Sequence, residues 1–183
     1  GTPMPKDAIF RIASQTKAIV TVGLMMLYEK GYFLLDDPID KYIPAFKNPE
    51  ILLDYQQGDT TFSTRPAEKP ITVQHLLTHT AGIPYGHPLY LQADVPMFNS
   101  LENETLADVI TKVGDLPILH EPGEKFTYGI NTDIIGYLIE VLSGDPLDVY
   151  LQREILKPLG MTDTHFYLPE QKQDRLVALY KKP

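Results

Sequence analysis

One stretch limits the possible folds more than any other. From Ser14 to Lys30 the chain reads SQTKAIVTVGLMMLYEK, and Ile19, Val20, Val22, Leu24, Met25, Met26 and Leu27 fall on nearly every side of a helix. A helix that is apolar all round is a buried one, so a domain must be built around it. Gly31 follows as a left-handed stop. Lys17 enters this helix near its start, and a charge drawn into apolar surroundings is costly unless something pairs with it.

The remaining pattern is read around that helix. Ala8–Ile12 is a short apolar run that suits a strand, and Asp36–Pro44 suits a short helix or turn between prolines. Residues 47–70, with Gly58, three prolines and many polar side chains, read as a long surface excursion. Thr72 is placed to cap a short helix ending near Thr80, with Gly82 beyond it. Thr105 and Asp108 have the spacing of a capping box for a helix to about Val113. Ile134, Ile135, Leu138, Ile139 and Leu142 recur at helical spacing and are closed by Gly144. Asp145-Pro146 starts a further helix to about Leu156, with proline expected at its first position. Weak strand signals lie near Phe166 and over Leu176–Tyr180. Five helices stand against two or three weak strands, so the chain reads as mainly helical.

Composition removes several function classes. With 24 acidic and 16 basic residues the net charge is -8, and no basic stripe is available for a phosphate backbone. Nucleic acid is therefore excluded as a partner. Cysteine is absent, which excludes a thiol nucleophile, a disulfide framework and a cysteine-ligated metal. The longest apolar stretch, Ala18–Tyr28, is too short to span a bilayer. No signal peptide opens the sequence, so either a targeting segment has been removed or the chain begins within a domain.

Ser14 and Lys17 form S-x-x-K at the head of the apolar helix, and Ser14 is the only one of the four serines with a lysine at that spacing. Residues three apart share a helix face, so the ammonium can reach the hydroxyl. A serine becomes a nucleophile only when a neighbour takes its proton, which a partly desolvated lysine can do. The plainer alternative is that Ser14 caps the helix. Tyr128 lies beyond the Glu121-Pro122-Gly123 turn, and a tyrosine beside a lysine can serve as a base because the positive charge favours the phenolate. It can equally be a core aromatic. Asn131 can bind a substrate carbonyl or cap its helix. His75 and His79 are four apart, a zinc-binding spacing, but they lack the H-E-x-x-H glutamate and a third ligand, so no metal is expected.

Taken together, several segments resemble one family. Phe10–Lys17 (FRIASQTK) resembles the nucleophile segment of the serine beta-lactamase and penicillin-binding-protein-like hydrolases, in their class C and esterase-like branch. Gly31–Pro38 resembles the stretch after that family's central helix. Ile71–Ile83 resembles its L-L-T-H-T-S-G-L segment. Glu121–Tyr128 resembles the approach to its tyrosine, and Pro158-Leu159-Gly160-Met161 its P-L-G-M landmark.

The resemblance implies an acyl-enzyme at Ser14, Lys17 as proton acceptor or charge partner, Tyr128 as base and Asn131 as a substrate-binding residue. His75 and His79 would be structural. It further implies a small-molecule ester or amide substrate, no cofactor, and a periplasmic or secreted location. The implied fold is the mainly helical, central part of an α/β (α+β) beta-lactamase-like domain. Residues 1–183 would form one incomplete domain, lacking its first strands and most of its antiparallel sheet. Two departures stand out. The second motif is Y-x-x-N, not Y-x-N, which favours an esterase or peptidase over a beta-lactamase. No K-T-G or H-x-G motif follows Tyr128, which leaves a non-catalytic binding or sensing homologue as the alternative.

Overall fold

The apolar stretch becomes helix α1, Thr16–Glu29, in a computed structural model that describes residues 3–56, 61–96 and 104–179. A 3-10 turn over Ala13–Gln15 leads into it, and Gly31 ends it at φ +78°. Among the described residues five further α-helices follow: α2, Val73–Leu77; α3, Pro88–Gln92; α4, Leu106–Gly114; α5, Asn131–Ser143; and α6, Leu147–Leu151. A turn of π-helix over Gln152–Leu156 extends α6 to the expected end point. Pro146 stands at the cap of α6, one position before the expected one.

The core lies between α1 and α5. Val20, Leu24 and Leu27 of α1 pack with Ile134, Ile135, Leu138 and Ile139 of α5 and with Tyr150 and Leu151 of α6. Each such apolar side chain, fully buried, contributes about 1.5–3 kcal/mol. Close approach of α6 depends on Gly23, where a Cβ would stand 2.7 Å from Leu151 Cδ2. The Tyr150 hydroxyl donates to the Gly23 carbonyl at 3.1 Å. Enclosure of α1 is incomplete among the described residues. Both partner helices pack on the stripe formed by Val20, Gly23, Leu24 and Leu27, and Val22 on another side is 52% exposed.

Local chemistry accounts for the helix starts. Thr72 Oγ1 accepts from His75 N at 3.3 Å, while His75 Nδ1 accepts from Thr72 N at 3.2 Å. The same reciprocal cap holds α4, between Thr105 and Asp108. Helix α2 ends at Leu77, short of Thr80, because His79 adopts φ +55°, which no helix can continue. Gly144 closes α5 at φ +76°.

The strands differ from expectation. The supposed surface excursion at 47–70 contains an antiparallel hairpin of β1, Glu50–Tyr55, and β2, Phe62–Pro66. The register runs from Glu50↔Pro66 to Tyr55↔Phe62, with Leu53 as an extra residue that breaks the alternation. Ile118 adds to the free edge of β1, donating to Glu50 O and accepting from Leu52 N, both at 2.8 Å. The strands expected at Ala8–Ile12 and Leu176–Tyr180 reduce to one parallel bridge, Ile9↔Leu176, flanked by a single hydrogen bond on each side. Tyr180 lies outside the described residues, and Phe166 sits in a bend. Helix α3 was absent from the pattern, although His87-Pro88 provides a cap and a first-position proline. No described helix is long and apolar enough to cross a membrane.

Candidate active site

Ala13 carries a left-handed backbone, φ +44°, immediately before Ser14. Such a conformation is uncommon for a residue with a Cβ and costs about 1–3 kcal/mol, so the surrounding structure must hold it. The turn presents Ser14 at the exposed head of α1, one helical turn before Lys17. Lys17 Nζ lies 3.4 Å from Ser14 Oγ. From 114 residues further along the sequence, the Tyr128 hydroxyl reaches the same oxygen at 2.8 Å. Lys17 Nζ also sits 4.9 Å from the centre of the Tyr128 ring and 5.4 Å from that of Tyr85. An ammonium over two aromatic rings is held by their negative faces. Ser14 therefore has a cation and a phenol on one oxygen. It does not cap α1; the capping position is Gln15, with no side-chain bond.

The electrostatics favour proton movement. The Tyr128 phenol is held below its ordinary pKa by its contact with Ser14 and then by the Lys17 ammonium. In the neutral state the phenol donates to Ser14 Oγ; once it is ionised, the serine hydroxyl donates to the phenolate and stabilises it. Asp133 opposes this, since its negative charge pushes the Tyr128 pKa up. Asp133 lines a cleft of about 900 Å³ together with Ala13, Lys17, Tyr85, Ile130 and Thr132. Solvent reaches the carboxylate through the cleft mouth, yet the crowded walls remove enough water to raise its own pKa. Tyr85 donates to Asp133 Oδ2 at 3.2 Å, and both burial and that carboxylate raise the Tyr85 pKa.

The sequence candidates separate into two groups. Ser14, Lys17 and Tyr128 converge. Asn131, the first residue of α5, is fully buried and directs its amide nitrogen to His79 Nδ1 at 3.0 Å and to the Ile83 carbonyl at 3.5 Å. It offers no exposed atom to a substrate and does not cap α5, whose cap position is Ile130. The two histidines at zinc spacing each turn Nδ1 to a protein N–H, His75 to Thr72 and His79 to Gly129. Tyr85 and Asp133 were not among the candidates. Asp133 lies five residues after Tyr128, in the first turn of α5, but spacing alone gives no sign that Tyr85 would meet it there.

A serine whose oxygen is shared by a lysine three residues on and a distant tyrosine, at the head of a helix packed in a mainly helical body, is an arrangement found in the serine beta-lactamase-like class of folds. Comparison makes the class specific: the beta-lactamase family profile matches residues 1–183, and the chain belongs to that family. Its fold is accordingly a part of the beta-lactamase-like fold, helical with a two-stranded antiparallel sheet among the described residues.

Protein Rv1367c of Mycobacterium tuberculosis is 33% identical, over 99% of this chain and 45% of its own length. Monacolin J acid methylbutanoyltransferase of Aspergillus terreus is 32% identical, over 96% of this chain and 42% of its own. Among solved structures, EstCE1, a hydrolase with promiscuous acyltransferase activity, superposes with a TM-score of 0.79 at 28% identity, covering 96% of this chain and 43% of its own. The chain thus spans a little under half the length of these relatives. A hydrolase and an acyltransferase are thus named among them.

Proposed function

We propose that this chain carries the nucleophile of a serine hydrolase that forms an acyl-enzyme at Ser14 on a small-molecule ester or amide. It would supply the helical part of one longer domain. The convergence of Tyr128 and Lys17 on Ser14 Oγ carries this reading. Ser14 Oγ attacks the substrate carbonyl carbon, and its proton passes to the Tyr128 phenolate oxygen, which already stands in contact with it. Lys17 keeps the phenolate populated by its charge. When the tetrahedral adduct collapses, the C–O or C–N bond breaks and Tyr128 returns the proton to the leaving group. Water then attacks the Ser14 ester by the same proton route, releasing the acid and restoring the serine.

The test is mass spectrometry of the full-length protein before and after a fluorophosphonate probe. One adduct is expected, on the peptide containing Ser14. An unlabelled Ser14 would instead favour a homologue that uses the fold for binding.

Asp133 sets a second expectation. Asp133→Asn removes a charge that disfavours the phenolate, so the acid limb of the labelling rate against pH moves to lower pH. A limb that stays in place, or moves to higher pH, would show that Asp133 does not act on the base.

A further inference from the structure

We propose that His79 is a positioning residue for Tyr128, its neutral ring using Nδ1 as an acceptor to clamp the 127–131 segment against Ser14. As a statement about catalysis this rests on the reading of Tyr128 as the base. Four separate contacts support it. The His79 carbonyl accepts from Thr127 N at 2.8 Å. The imidazole lies nearly parallel to the Tyr128 ring, with centres 5.0 Å apart and planes at 29°. Nδ1 accepts from Asn131 Nδ2 at 3.0 Å and from Gly129 N at 3.4 Å. One residue therefore touches the chain before Tyr128, the ring of Tyr128 and the backbone after it.

The directions of these bonds define the tautomer. A backbone N–H can only donate, so the nitrogen facing Gly129 accepts and the ring proton sits on Nε2. The amide of Asn131 is oriented by the Ile83 carbonyl, which can only accept, so its nitrogen faces both Ile83 and His79. Protonation of Nδ1 would set donors against donors and open the clamp. The groups around the ring oppose that change: its half-buried setting lowers the pKa first, and the positive charge of Lys17 from α1 lowers it further, with Tyr128 stacked alongside.

Position 79 also has a positive φ of 55°, a conformation that persists in a non-glycine residue only where its surroundings impose it. Here the left-handed turn is what brings carbonyl and ring to the same segment.

Two substitutions in the full-length protein separate the backbone from the clamp, because both accept a positive φ. His79→Gly keeps the turn and removes the ring. His79→Asn keeps the turn and places an oxygen acceptor near the position of Nδ1. With an activated ester, His79→Gly should lower kcat about 10- to 100-fold, the scale of a misplaced catalytic group, with KM within about two-fold. His79→Asn should recover kcat to within about five-fold of wild type.

Nitrogen-15 NMR of the wild-type imidazole provides a readout independent of turnover. It should show the Nε2–H tautomer and a ring that protonates only below the ordinary histidine range. A proton on Nδ1, or a His79→Gly enzyme with wild-type kcat, overturns the proposal. A wild type that hydrolyses nothing counts against the hydrolase reading alone, since the tautomer still decides whether the clamp exists.

Discussion

Ser14→Ala should eliminate turnover of the full-length protein and leave its melting temperature essentially unchanged. The two halves of this expectation have separate causes. Ser14 is exposed at the head of α1 and caps nothing, and its side chain contacts the Lys17 ammonium and the Tyr128 hydroxyl. Surface substitutions without a packing or capping role change stability by no more than about 0.5 kcal/mol. The chemical loss is far larger, because alanine has no atom to form the acyl bond. Deleting the serine of an acyl-transfer site lowers kcat by about six orders of magnitude, and transition-state contacts from the rest of the site leave only a residual rate. The substitution also removes the contact that does most to hold the Tyr128 pKa below its ordinary value, so the phenol should then titrate higher. Ester turnover and thermal melting measured on the same preparation check both halves. Turnover close to wild type would end the assignment, and a collapsed melting temperature would mean that Ser14 supports the fold.

The difference between what the sequence made legible and what it concealed follows from the range of the interactions. Helix starts at Thr72 and Thr105, and stops at Gly31 and Gly144, depend on bonds within a few residues, and these were readable. The S-x-x-K pair was readable for the same reason. The hairpin was not, because its pairing of Glu50 with Pro66 is non-local and its alternation is broken at Leu53. Exposure of Val22 could not be read either, since a periodic pattern reports which faces are apolar and not which neighbours cover them. In the site, Tyr128 was open to two readings, base or core aromatic, until the resemblance favoured the first, and the environment of its ring was not readable at all. His79, Tyr85 and Asp133 reach it from three separate segments. Asn131 shows the limit most plainly: its spacing from Tyr128 suggested a ligand or a cap, and its burial gives it to His79 instead.

Gly129→Ala should disable the site through space alone, without touching any group that reacts. An ideal Cβ on Gly129 would lie 1.9 Å from the Ile83 carbonyl oxygen and 2.8 Å from the backbone carbons of Ile83 and Pro84. These are main-chain atoms, so no rotamer change clears them. Ordinary contact begins at 3.4 Å, which requires the 127–131 segment to retreat by about 1.5 Å. Tyr128 is the residue immediately before, and its hydroxyl is 2.8 Å from Ser14 Oγ, so a retreat of that size breaks the contact. Misplacing a catalytic group by about 1 Å costs about 100-fold in rate, and kcat should fall at least that far. Overpacking of about 1–3 kcal/mol should accompany it, lowering the melting temperature by about 3–10 °C. The same retreat also carries the Gly129 N–H away from His79 Nδ1, so the fluorophosphonate reaction at Ser14 should slow in parallel with kcat. Wild-type kcat together with a wild-type melting temperature would show that the Ile83–Pro84 backbone yields freely, and that the placement of Tyr128 does not depend on this approach.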